Sequence, residues 1–112
     1  MWRIIKSEEY SFEPYSKGVA YIKRLMRQSS TEGRFEGLGL LRIPSNGIFP
    51  KHVHPEREEI YYVLSGSGIL MIEDSEVKIM EGDAVYISGN AQHGLRNVSE
   101  KELLVLYTTA FR

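Results

Sequence analysis

From Phe35 to Ala110 the chain is a succession of short β-prone runs cut by turn residues, and that cadence limits the folds open to it. FEGLGLLRI is followed by the turn PSNG and then IFPKHVH. EEIYYVLSG, SGILMIED, SEVKIM and EGDAVYIS come next, GNAQ precedes HGLRN, and VSEK leads into ELLVLYTTA. β-Branched and aromatic residues fill these runs, and none of them sustains a helical period. Short strands with a turn signal every eight to twelve residues predict an all-β sandwich or barrel of antiparallel strands. Ahead of them, GVAYIKRLMRQ (18–28) allows a strand or a short helix, and Val19, Tyr21 and Ile22 favour the strand. Residues 1–17, with Pro14 and mixed polarity, read as an N-terminal arm holding at most one short strand.

With 112 residues and no cysteine, one domain over 1–112 can close a core without staples. The missing thiols leave only nitrogen and oxygen ligands for any metal. A net charge of −1 gives no electrostatic reason to expect nucleic acid or a membrane surface as partner. The one basic stretch, KRLMRQ (23–28), reads as a solvated strand face with Leu25 buried between charges. MWRIIKSEEY has no apolar core of a signal sequence and no run is long enough to span a membrane, so a cytoplasmic protein is the expectation.

Two of the chain's three histidines stand together in KHVHPEREEIYYVLSG (51–66). Side chains two apart on an extended strand share a face, so His52 and His54 can converge on one point. Glu59 follows the turn Pro55–Arg57, and its carboxylate reaches the same centre if its strand folds back beside the first. Only His93 remains as a third imidazole, about forty residues downstream, and nothing local brings it near. Closure has to come from the fold.

These residues resemble the two motifs of the cupin family. The first is met by Gly47, four residues, His52-Val53-His54, four residues, Glu59, six residues and Gly66. The second is met by Gly82, five residues, Ser88-Gly89-Asn90, two residues, His93, three residues and Asn97. The gap after Gly47 is one residue short of the family pattern. Ser88 stands in place of proline and Asn90 in place of glycine, where asparagine suits a left-handed turn. Glu58 rivals Glu59 as ligand, but only Glu59 keeps six residues before Gly66. The resemblance implies a jelly-roll barrel, a double-stranded β-helix, with His52, His54, Glu59 and His93 holding a divalent metal inside. It also implies a homodimer in which the arm exchanges between subunits.

Such a ligand set suits manganese, iron or nickel, with zinc and cobalt also open, and leaves positions for a small oxygenated molecule. A sugar, sugar acid, keto acid or hydroxy acid would suit, in isomerase, lyase or dioxygenase chemistry. The other reading is a small-ligand-binding or sensing module without turnover. Parity places Tyr61 on the inward face with Glu59, as a proton donor or as a core aromatic. Tyr86 and Tyr107 are further candidates of that kind, and Glu56, Arg57 and Glu58 read as rim charges. Arg42 reads as outward and solvated. Oxalate-processing cupins carry an arginine shortly before the first histidine. Phe49 stands there instead, which argues against oxalate decarboxylation and makes Phe49 an apolar pocket wall.

Overall fold

A computed structural model describes residues 1–15 and 19–112. Its strands are β1 (Glu13–Pro14), β2 (Tyr21–Arg27), β3 (Phe35–Ile43), β4 (Ile48–His52) and β5 (Arg57–Ser65). After them come β6 (Ser67–Ile72), β7 (Ser75–Met80), β8 (Ala84–Ile87), β9 (His93–Arg96) and β10 (Leu103–Phe111). They form two sheets, ordered β1-β2-β3-β10-β5-β8 and β4-β9-β6-β7. The expected all-β double-stranded β-helix is therefore what the chain adopts. Among the described residues no helix is long and apolar enough to cross a membrane.

Alternation decides which side chains fill the interior. β3 buries Gly37, Gly39, Leu41 and Ile43, β10 buries Leu103, Val105, Tyr107 and Thr109, and β5 buries Glu59, Tyr61 and Val63. Antiparallel register lines these residues up in rows. Leu41, Val105 and Val63 make one row, Gly39, Tyr107 and Tyr61 the next, and Gly37, Thr109 and Glu59 the last. The barrel is thus closed at one end by aliphatics that join Leu70 and Leu95 in the core. Towards the other end its wall loses bulk and gains polar groups, which leaves room for a site.

At Gly39 the missing Cβ makes way for Tyr107. A Cβ there would collide with the Lys23 carbonyl oxygen and fall 2.7 Å from the Tyr107 hydroxyl. Gly39→Ala is expected to lower the unfolding free energy by about 1–3 kcal/mol, the usual range for overpacking, measurable by urea titration.

The 18–28 stretch is the strand β2 from Tyr21 to Arg27; Gly18 lies outside the described residues. The arm folds back on its own chain, with Glu13 opposite Ile22 and Pro14 opposite Tyr21. Its residues 16 and 17 are likewise outside those described. In the PSNG turn Asn46 adopts a left-handed φ of 64°. At Ser88–Asn90 no such conformation is used. Gly89 is required there by close packing, since a Cβ would stand 2.7 Å from the carbonyl oxygens of Pro55 and Arg57.

Candidate metal centre

The late histidine reaches the early ones through strand pairing. β4 and β9 are antiparallel neighbours with His52 directly opposite His93. Glu59 arrives by another route than the expected one. β5 does not lie beside β4 but between β10 and β8 in the facing sheet, so the carboxylate reaches the histidines across the barrel. One donor atom each from His52, Glu59 and His93 lie within 4.8 Å of one another.

Backbone carbonyls orient both of these imidazoles. His52 Nδ1–H donates to the Pro50 oxygen at 2.9 Å, and His93 Nδ1–H donates to the Ala91 oxygen at 2.9 Å. A carbonyl can only accept, so each ring keeps its proton on Nδ1 and presents a free Nε2. His93 Nε2 lies 2.8 Å from Glu59 Oε1. Two lone-pair atoms at that separation require a cation, either a proton on His93 or a metal bound by both. Two ligands each about 2.0–2.2 Å from one ion at a right angle would stand about 3 Å apart, so the donor set fits a divalent metal. Burial pushes His93 towards the neutral form, but the hydrogen bonds to Glu59 and Ala91 outweigh it, and its pKa lies above the ordinary value. Burial lowers the pKa of His52.

His54 differs. Its ring centroid is 4.7 Å from that of His52 but 6.1 Å from that of His93. Its Nδ1 accepts from Arg57 Nη2 at 2.7 Å. Guanidinium has no acceptor, so neutral His54 carries its proton on Nε2, the opposite tautomer to its two neighbours. Burial and then the Arg57 charge lower its pKa. Arg57 is held in turn by Glu36 Oε1 at 2.6 Å, and the other Glu36 oxygen accepts from the Thr109 hydroxyl.

A cavity of about 390 Å³ opens over these groups, with His52, His54, Glu59, Phe49, Tyr15 and Tyr107 in its wall. Phe49 is buried there and stacks on Tyr15 at 4.4 Å between centroids. Tyr61 keeps the inward parity of Glu59, as a core aromatic. It is fully buried, packs edge-on to His93 at 6.0 Å, and is not among the residues lining the cavity. Tyr107 lines the cavity together with Tyr15, and burial pushes the pKa of Tyr107 up to about 12. Tyr86 is exposed on the outer face, where Glu58 raises its pKa. Arg42 also faces out, stacked over Phe12 and Tyr21.

Sequence reasoning missed three arginines in the cavity wall, Arg24, Arg27 and Arg57. Arg57 had a usable signal, because it precedes Glu59 by two and shares its parity; it is no rim charge. KRLMRQ is not simply a solvated face. Leu25 is only half-buried and sits at a break in the β2–β3 register, while Arg24, Met26 and Arg27 line the cavity.

Two antiparallel sheets closed round inward imidazoles and a carboxylate define the class of protein. The chain belongs to the cupin family, whose Cupin domain matches residues 39–109. It is 29% identical over 105 residues to an uncharacterised protein of Methanocaldococcus jannaschii, covering 93% of this chain and 84% of that one. It is 23% identical over 105 residues to the oxalate-binding protein of Thermotoga maritima, covering 89% and 87%. Among solved structures, a predicted oxalate decarboxylase of Thermotoga maritima superposes with a TM-score of 0.89 at 22% identity, over 98% of this chain and 100% of that one.

Proposed function

We propose that this cupin binds a divalent transition metal through His52, Glu59 and His93 and uses it to hold a small oxygenated molecule for chemistry in the cavity. The observation that carries the proposal is the paired tautomer: two imidazoles locked through Nδ1, with His93 Nε2 on the buried Glu59 carboxylate and a ring nitrogen of His52 within 4.8 Å of both. A nitrogen and oxygen set suits manganese, iron or nickel, with cobalt and zinc also open. When bound, such an ion polarises a carbonyl or lowers the pKa of a neighbouring proton.

The chain's own residues do the rest. His54, implied as a fourth ligand by the family motif, is in this tautomer an N–H donor to a bound oxygen. Arg57 and Glu36 hold its ring in place. Phe49 and Tyr15 form an apolar wall that keeps water from one side of the cavity. Hydroxy acids, keto acids and diols, which offer two neighbouring oxygens, are the substrate class.

Binding without turnover is the second reading. It is favoured by the placement of Tyr61, which leaves Tyr15, packed against Phe49, and Tyr107, with a pKa of about 12, as the tyrosines in the cavity wall. The name of the oxalate-binding relative points the same way. Metal analysis of protein purified without added metal, followed by a screen of chelating acids and diols with and without oxygen, tests the proposal. Bound metal with turnover supports the enzyme, and bound metal with ligand affinity alone supports the second reading. A chain that takes up no divalent metal overturns both.

A further inference from the structure

The register of β2 against β3 turns Arg24 inward by plain alternation and Arg27 inward where alternation alone would not. Ile22 pairs with Leu41 and Arg24 with Gly39, and then the register shifts, so that Met26 pairs with Leu38 and Arg27 with Gly37. Leu25 is the extra residue of a β-bulge. Without it Met26 would oppose Gly37, and Arg27 would lie on the outer face. The bulge therefore sets Arg27, exposed at the end of β2, opposite Gly37, while Arg24 stands opposite Gly39 in the register before it, and both arginines line the cavity.

The charges there are unbalanced. The cavity wall carries Arg24, Arg27 and Arg57 against Glu36 and Glu59. Arg57 is neutralised by Glu36 at 2.6 Å, and Glu59 is engaged by His93 at 2.8 Å. Arg24 has only Glu13 at 3.6 Å, a largely exposed carboxylate whose pairing water screens. Arg27 has no ion pair among the described residues. A divalent ion at the centre would make the cavity more positive still.

We infer that Arg24 and Arg27 form an anion subsite, and that the ligand of this cupin is an acid whose second carboxylate lies away from its chelating end. The inference rests on the metal-centred reading above and narrows its substrate class. Arg27, Gly37, Thr109 and Glu59 occupy one row, so about 14 Å of sheet, three strand spacings, separates Arg27 from the ligand carboxylate. A two-carbon diacid cannot engage both ends of that row. A four- or five-carbon hydroxy diacid, met by long arginine side chains, can. The cavity's volume of about 390 Å³ is also within the roughly 300–1,000 Å³ of sites that take larger organic ligands.

The test is isothermal titration of the full chain loaded with manganese, with bound manganese measured on each sample. Malate is compared with lactate and 2-hydroxyglutarate with 2-hydroxybutyrate, each pair differing in the distal carboxylate. One diacid should bind about tenfold or more tighter than its partner, as charge-assisted hydrogen bonds produce. The joint variant Arg24→Gln, Arg27→Gln should bring that ratio to about one, and Arg24→Lys, Arg27→Lys should restore part of it. Equal affinities within both pairs, with manganese bound, overturn the subsite alone, as does selectivity that survives the glutamine variant. Failure of all four acids to bind the manganese-loaded chain overturns the subsite and the chelated-substrate reading together. A chain that takes up none of manganese, iron, nickel, cobalt or zinc overturns the metal reading beneath them.

Discussion

His52→Ala and His93→Ala are each expected to bind divalent metal at least about 100-fold more weakly than the unaltered chain, and to purify without it. Removing a partner that merely orients a ligand already costs about 10–100-fold, so loss of a ligand from a set of three should cost more. His93 also shields Glu59, which is buried and bonded to it at 2.8 Å. Leaving that carboxylate unpaired costs about 3–5 kcal/mol, enough to threaten the fold of His93→Ala. His93→Gln keeps an N–H donor for Glu59 while removing the imidazole, so a folded chain without metal is the expected result there. His54→Ala should retain stoichiometric metal, because its Nδ1 is committed to Arg57 and its Nε2 carries the proton. Plasma emission analysis on folded, gel-filtered samples reads all four. Full metal content in His52→Ala and His93→Gln would sink the site, and loss from His54→Ala would make His54 a fourth ligand.

The sequence is most legible where one face of a strand is buried. FEGLGLLRI, EEIYYVLSG and ELLVLYTTA alternate cleanly, and β3, β5 and β10 bury the parity that alternation predicts. Parity also puts His52 beside His54 and turns Glu59 rather than Glu58 inward. Long-range register was beyond it. That His52 faces His93 depends on β4 and β9 being neighbours, which no local spacing encodes and only the family motif implied. That Tyr107 rather than Tyr61 lines the cavity likewise depends on rows that cross three strands. Arg27 was hidden most deeply, because the bulge at Leu25 reverses its parity and exists only through pairing with β3. Arg57 was hidden less, and taking PER as a turn is what concealed it.

Asn97→Ala is expected to lower the unfolding free energy by about 2–4 kcal/mol, far from the metal centre. The side chain is 1% exposed, and its amide is fully used. Nδ2 donates to the Ile43 oxygen at 3.0 Å and to the Lys101 oxygen at 2.7 Å. Oδ1 accepts from the Ser99 backbone N–H at 2.9 Å and from the Ser99 hydroxyl at 2.8 Å. One residue thus ties the end of β3 to the connection between β9 and β10, at the closed end of the barrel. Truncation strands the Ile43 carbonyl in the interior, where no water replaces the lost donor. Asn97→Asp should be worse at neutral pH, since it sets a carboxylate oxygen against two carbonyl oxygens. A protonated carboxyl can still donate to one of them, so the folded state raises the pKa of the introduced group above its unfolded value. The folded chain then binds the extra proton, and the variant loses stability as pH rises between those two pKa values. Urea titrations at about pH 4 and pH 7 should show the gap to the unaltered chain widening with pH for Asn97→Asp and constant for Asn97→Ala. Equal stability of all three chains at neutral pH would mean that the amide holds nothing the solvent cannot.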